Sequence, residues 1–170
     1  SPTDDKSAVD RCGAILAQRL EQMGGAVQRV AGTSAGDHLV ARFGSGPRQV
    51  LLLGHFDTVW PIGQLARMPL VAKDGFLHGP GVLDMKAGLA LGMLATRAVL
   101  DEGPLGDVAI TMLWTTDEET GSHTSRALIE SAVRAGVPHI IFSSTAAVYG
   151  TPAVFPVPED APLAPESPYG

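Results

Sequence analysis

A chain of 170 residues can bury the core of one α/β domain, alone or with a short appendage. With 45% hydrophobic and 18% charged residues its composition is that of a folded protein, and the net charge of -6 argues against a basic nucleic-acid surface. The single cysteine, Cys12, rules out an internal disulfide, and no apolar run is long enough to span a bilayer.

In chain order, Asp4 and Asp5 can cap a helix whose apolar positions Val9, Cys12, Leu16, Leu20 and Met23 recur at helical spacing, ending at Gly24-Gly25. Strands are predicted over Ala26 to Val30, His38 to Phe43 and Gln49 to Leu53. The run Val50-Leu51-Leu52-Leu53 is continuously apolar, as in a strand buried on both faces. A Gly- and Pro-rich loop is expected up to Gly81. A helix from about Met85 to Leu100 follows, apolar almost all round and therefore expected to be buried. Val108 to Trp114 reads as another buried strand, Thr124 to Ala135 as a helix and His139 to Phe142 as a short strand. Helices alternating with buried strands indicate an α/β layered sheet with flanking helices. Beyond Arg134, the last Lys or Arg, prolines recur at Pro152, Pro156, Pro158, Pro162, Pro165 and Pro168. Proline lacks an amide donor and fixes its own φ, so a Pro-rich C-terminal segment without helix or central strand is expected, mobile from about Gly150. No signal peptide is visible. A cytoplasmic location is the default, with a secreted or periplasmic precursor kept open because the chain begins at Ser1.

Three polar clusters sit where a buried strand ends or a helix begins, the places where α/β sheets bind ligands. In Gly54-His55-Phe56-Asp57-Thr58-Val59, His55 can supply an imidazole ligand. Asp57 lies on the same side of an extended chain and can fix the ring's tautomer. The second cluster, Gly79-Pro80-Gly81-Val82-Leu83-Asp84-Met85-Lys86-Ala87-Gly88, puts Asp84 at a helix start, where a carboxylate can bridge two cations. The third, Thr116-Asp117-Glu118-Glu119-Thr120-Gly121-Ser122, offers adjacent carboxylates, one to bind metal and the other to accept a proton from water. Singly, each has a plainer explanation: a satisfied buried histidine, a helix cap, a solvated acidic turn. Together and in this order they point to a metal-dependent hydrolase. His38, His78, His123 and His139 are given structural roles.

The segments GHFDTV, GPGVLDMKAG and TTDEETGS resemble those of the dizinc metallopeptidase family of glutamate carboxypeptidase, acetylornithine deacetylase and succinyl-diaminopimelate desuccinylase. The resemblance covers roughly Ser1 to Arg126. It implies that His55 binds one zinc, Asp84 bridges two and Glu119 binds the second, with Glu118 as general base and Asp57 orienting His55. It also implies amide or peptide bonds of small peptides or N-acyl amino acids as substrates. The fold implied is a catalytic α/β domain interrupted by a smaller dimerisation domain, homodimeric at full length. Two further ligands of that family have no counterpart here. One is an acidic residue about two dozen positions after the Glu pair, which would fall near Ile141 to Ser144. The other is a histidine near the far end of a longer chain. A truncated catalytic domain with an incomplete, inactive site is therefore expected.

Ala127 to Gly170 instead resembles an internal stretch of the nucleotide-sugar epimerases of the extended short-chain dehydrogenase class, UDP-glucose 4-epimerase in particular. That resemblance implies Thr145 at the catalytic Ser/Thr position and Tyr169 at the catalytic tyrosine, with NAD as the alternative cofactor. The family's lysine beyond the tyrosine and its glycine-rich dinucleotide loop are absent, so no NAD binding is expected. The division expected is residues 1–130 as a partial amidohydrolase domain and 131–170 as an epimerase-like fragment, the switch lying within Arg126 to Glu130.

Overall fold

A computed structural model describes residues 1–135, the backbone of 139–142, and residues 161, 162 and 164. Thr145, Tyr169 and the segment expected to be mobile from Gly150 lie outside the described residues, apart from 161, 162 and 164.

Helix α1 (Lys6–Gln22) begins where expected, with the Asp5 carboxylate accepting from the Ala8 N–H at 2.9 Å. Strands β1 (Ala26–Val30), β2 (His38–Phe43) and β3 (Arg48–His55) follow. The predicted loop to Gly81 contains more structure than its Gly and Pro content suggests. It holds a short helix α2 (Gln64–Arg67) and a hairpin of β4 (Val71–Lys73) and β5 (Phe76–His78). Asp74 and Gly75, at φ 52° and 80°, make the two-residue turn that an Asp-Gly pair between apolar strands favours, a signal the loop reading passed over. The turn Val82–Lys86 leads into α3 (Ala87–Asp101), then β6 (Val108–Thr115), a single turn Glu118–Thr120, α4 (Arg126–Arg134) and β7 (His139–Phe142).

The main sheet has the order β1-β2-β6-β3-β7, with β2 antiparallel to both β1 and β6, and β3 parallel to both β6 and β7. Register places Leu39 beside Trp114, Ala41 beside Met112 and Phe43 beside Ile110, while Val50 and Leu52 pair with Ile110 and Met112. Alternate residues share a face, so these side chains form one apolar surface. Val9, Ala17 and Leu20 of α1 and Leu89 of α3 pack against that surface. One core therefore lies under two helices.

Two burial expectations need correction. In β3, Leu51 is buried but Val50, Leu52 and Leu53 are only partly so. In α3, only Leu89 and Thr96 are buried, and Leu91 and Leu94 are 65% and 66% exposed. A helix rests on a sheet along one stripe, so apolar residues on its far side stay out of the core whatever their type. Among the described residues no helix is long and apolar enough to cross a membrane.

Candidate metal centre

The parallel strands β3 and β6 end side by side, His55 pairing with Thr115, and the polar clusters follow both carboxyl ends. His55 terminates β3 and is buried, and Asp57 two residues on is fully buried. The His55 Nδ1 lies 3.2 Å from Asp57 Oδ1, and its Nε2 lies 3.0 Å from Asp84 Oδ1 and 3.6 Å from Glu118 Oε2. Asp84 belongs to the turn Val82–Lys86 and not to α3 itself. Its φ of -114° and ψ of 101° are extended, which carries the carboxylate out of the helix and over the end of β3. The His55 backbone N–H donates to Met85 Sδ at 3.2 Å, tying strand and turn together. Glu118 and Glu119 open the turn after β6.

Ligand atoms of His55, Asp84 and Glu119 all lie within 4.8 Å of one another. Tetrahedral zinc with bonds of about 2.1 Å holds its ligand atoms about 3.4 Å apart, so the group fits a cation after a small contraction. The electrostatics suit one too. Burial opposes a charged His55 ring, yet the Asp57 carboxylate, with Glu118 and Asp84, outweighs it and pushes the ring up to about 9. Glu118 and Glu119 are both pushed above the ordinary carboxylate value, first by burial, with Asp84 adding and His55 opposing. Carboxylates crowded together in this way raise one another's pKa, and a divalent cation would relieve that repulsion.

Of the other histidines, His38 is fully buried and joins Thr116 Oγ1 and Thr124 Oγ1, both at 3.0 Å, and burial pushes its pKa down. His78 and His123 are exposed. The side chain of His139 lies outside the described residues. Sequence reasoning passed over Met85, Gly54 and Thr3. A Gly immediately before His55 could have flagged Gly54 as a point of close approach. Nothing local could have flagged Thr3, whose hydroxyl meets Asp57 across 54 positions.

Residues 51–156 match the model of peptidase family M20/M25/M40. The chain belongs to the M20/M25/M40 peptidases. Among members of this peptidase family, carboxypeptidase G2 of Pseudomonas sp. (strain RS-16) is 36% identical over 149 residues, covering 85% of this chain and 36% of that protein. The succinyl-diaminopimelate desuccinylase of Methylorubrum populi is 38% identical over 115 residues, covering 62% of this chain and 30% of that protein. Human carnosine dipeptidase 1 superposes with a TM-score of 0.66 at 26% identity, covering 79% of this chain and 32% of that one. The di-peptidase Dug1p of Saccharomyces cerevisiae shares the fold, with a TM-score of 0.69 at 22% identity over 84% of this chain and 35% of that one. The chain thus spans about a third of the length of the M20/M25/M40 relatives it matches. The family match also runs past Arg126, where the resemblance read from the motifs stopped.

Proposed function

We propose that this chain carries part of the catalytic domain of a zinc-dependent hydrolase of amide or peptide bonds, of the carboxypeptidase or N-acyl amino acid deacylase type. The observation that carries the reading is the convergence of His55, Asp84 and Glu119 on one point beside Glu118. The identity to carboxypeptidase G2 and to a desuccinylase supports small peptides or N-acyl amino acids as substrates. In this reading His55 and Asp84 would hold one zinc, and Asp84 with Glu119 a second. Bound zinc would polarise the scissile carbonyl and acidify a water toward neutrality. Glu118 would take the proton of the attacking water and pass it to the leaving amine, a role its place beside the His55 ring, 3.6 Å from Nε2, allows. Asp57 would hold the proton on His55 Nδ1, so that Nε2 is the nitrogen that gives up its proton and presents a lone pair when metal binds.

Each cation then has two protein ligands in this chain, one fewer than a catalytic zinc ordinarily takes. No carboxylate occurs between Glu130 and Glu159. The 170-residue chain should therefore hold zinc weakly and turn over little or no substrate. Metal analysis after exhaustive dialysis is the test, with at most one loosely held zinc expected, abolished in His55→Ala. Two tightly retained ions would overturn this ligand assignment, and metal uptake indifferent to His55 would overturn the site.

The same proposal keeps residues 131–170 as an epimerase-like segment and not an independent domain. It rests on the run from Ala127 to Gly170 alone, and the peptidase match overlaps that run to residue 156. Calorimetric titration with NAD should show no binding. Micromolar affinity would favour an epimerase acting through Thr145 and Tyr169.

A further inference from the structure

The segment before α1 runs beside the loop that carries Asp57. Pro2 and Thr58 form a parallel β-bridge, the Thr3 N–H donates to the Thr58 carbonyl at 3.2 Å, and the Thr58 N–H donates to that of Ser1 at 2.9 Å. The Ser1 hydroxyl adds a bond to the Phe56 carbonyl at 2.7 Å. From this clasp the Thr3 Oγ1 reaches Asp57 Oδ2 at 2.8 Å. An ionised carboxylate only accepts, so the hydroxyl donates.

Asp57 is fully buried, and its two oxygens have different duties. Oδ1 faces His55 Nδ1, while Oδ2 receives Thr3 and, at 3.3 Å, the backbone N–H of Glu119. One carboxylate thereby joins the segment before α1, the end of β3 and the turn after β6. Without the Thr3 hydroxyl, Oδ2 keeps, among the described residues, only the longer bond to Glu119. The carboxylate is then held less firmly about its last torsion, and the His55 ring and the Glu119 backbone share a looser common reference.

We propose that Thr3 is a positioning residue of the metal centre, its hydroxyl fixing Asp57 and through it both His55 and Glu119. This rests on the reading of His55 and Glu119 as metal ligands. Partners placed behind the ligands in this way typically contribute about 10- to 100-fold in metal affinity.

The test compares the dialysed full chain with Thr3→Val, which keeps the shape but removes the hydroxyl, and Thr3→Ser, which restores it. Cobalt(II) is titrated in and followed by its visible absorption. Unfolding melts identify any general loss of structure, and the exchange-protected Nδ1–H resonance of His55 is recorded without metal. The expected result is cobalt affinity about tenfold or more weaker in Thr3→Val and restored in Thr3→Ser, with similar melts for all three. Equal affinity in Thr3→Val, or equal loss in both variants, overturns the role of the hydroxyl. Failure of the unaltered chain to take up cobalt would sink the metal reading separately. The Nδ1–H resonance then decides for Thr3: loss in Thr3→Val alone supports the proposal, and the same signal in all three overturns it.

Discussion

Glu118 and Glu119 are neighbours in the chain with different surroundings. Glu118 Oε2 lies 3.6 Å from the His55 ring, whereas Glu119 is tied through its backbone to Asp57 and groups its carboxylate with His55 and Asp84. Glu118→Gln keeps size but cannot accept a proton. It should leave metal affinity within about twofold and lower any amidase turnover by about a hundred- to ten-thousand-fold. Unchanged turnover against a panel of N-acyl amino acids would remove Glu118 from that role. A second residue-scale effect lies away from the site. The Lys6 ammonium, 2.7 Å from Asp37, holds that carboxyl below its ordinary value against the opposing effect of burial, and the Gly32 N–H helps. A depressed carboxylate stabilises the fold fully above its unfolded pKa of 3.8, and the contribution disappears as pH falls through the lower folded value. Both side chains are more than a third exposed, so the contribution after solvent screening should be well under about 1 kcal/mol. Urea midpoints from about pH 5 down to about pH 2.5 should fall more for the unaltered chain than for Asp37→Asn. Parallel slopes would show that the pair contributes nothing.

At the scale of elements, the contact of β3 with α3 links the fold to the site. A Cβ on Gly54 would stand 2.8 Å from Leu89 Cδ2 and from Met85 Cε, and both side chains are buried. They would have to move. Met85 also accepts the His55 N–H, and its neighbour Asp84 is in the same turn, so a shift of Met85 is transmitted toward the segments that carry His55 and Asp84. Gly54→Ala should cost about 1–3 kcal/mol by overpacking and should weaken cobalt binding as well. Leu91→Ala, on the exposed side of the same helix, should stay within about 0.5 kcal/mol. If melts and titrations show Gly54→Ala to be as silent as Leu91→Ala, sheet packing does not place Asp84.

Across the whole molecule, the apolar residues divide unevenly. One face of the sheet is sealed beneath α1 and α3, while Leu83, Leu91 and Leu94 stand exposed on and before α3, and Phe76 and Leu77 on the hairpin. A cavity of about 540 Å³ lies between these regions, walled by Trp60, Ile62, Leu65, Leu70, Leu77 and Val82. Grouped apolar side chains of this kind are where a hydrophobic dye binds a folded protein. The folded chain should therefore bind anilinonaphthalene sulfonate without denaturant, and the double substitution Leu91→Gln, Leu94→Gln should reduce the fluorescence without lowering the melting temperature. Native fluorescence no higher than that of a well-sealed globular protein would show the surface to be covered.

What the chain determined unaided is whatever depends on neighbours in sequence. Asp5 before a 3.6-residue apolar period predicts α1, and the apolar runs of β2, β3 and β6 predict strands, because capping and periodicity act over a few residues. His55, Asp84 and the Glu118-Glu119 pair could be singled out by the same means, since each follows a strand or a glycine turn. The extent of burial could not be read this way. The apolar composition of α3 looks the same on its covered and open sides, and only its seat against β3 decides that Leu89 is inside and Leu91 outside. Nor could the closure of the site on Asp57 be read, because Thr3, Asp57 and Glu119 are separated by 54 and 62 positions. Such contacts leave no local period in the sequence. They exist because a parallel β3 and β6 bring their carboxyl ends side by side and the segment before α1 lies across them.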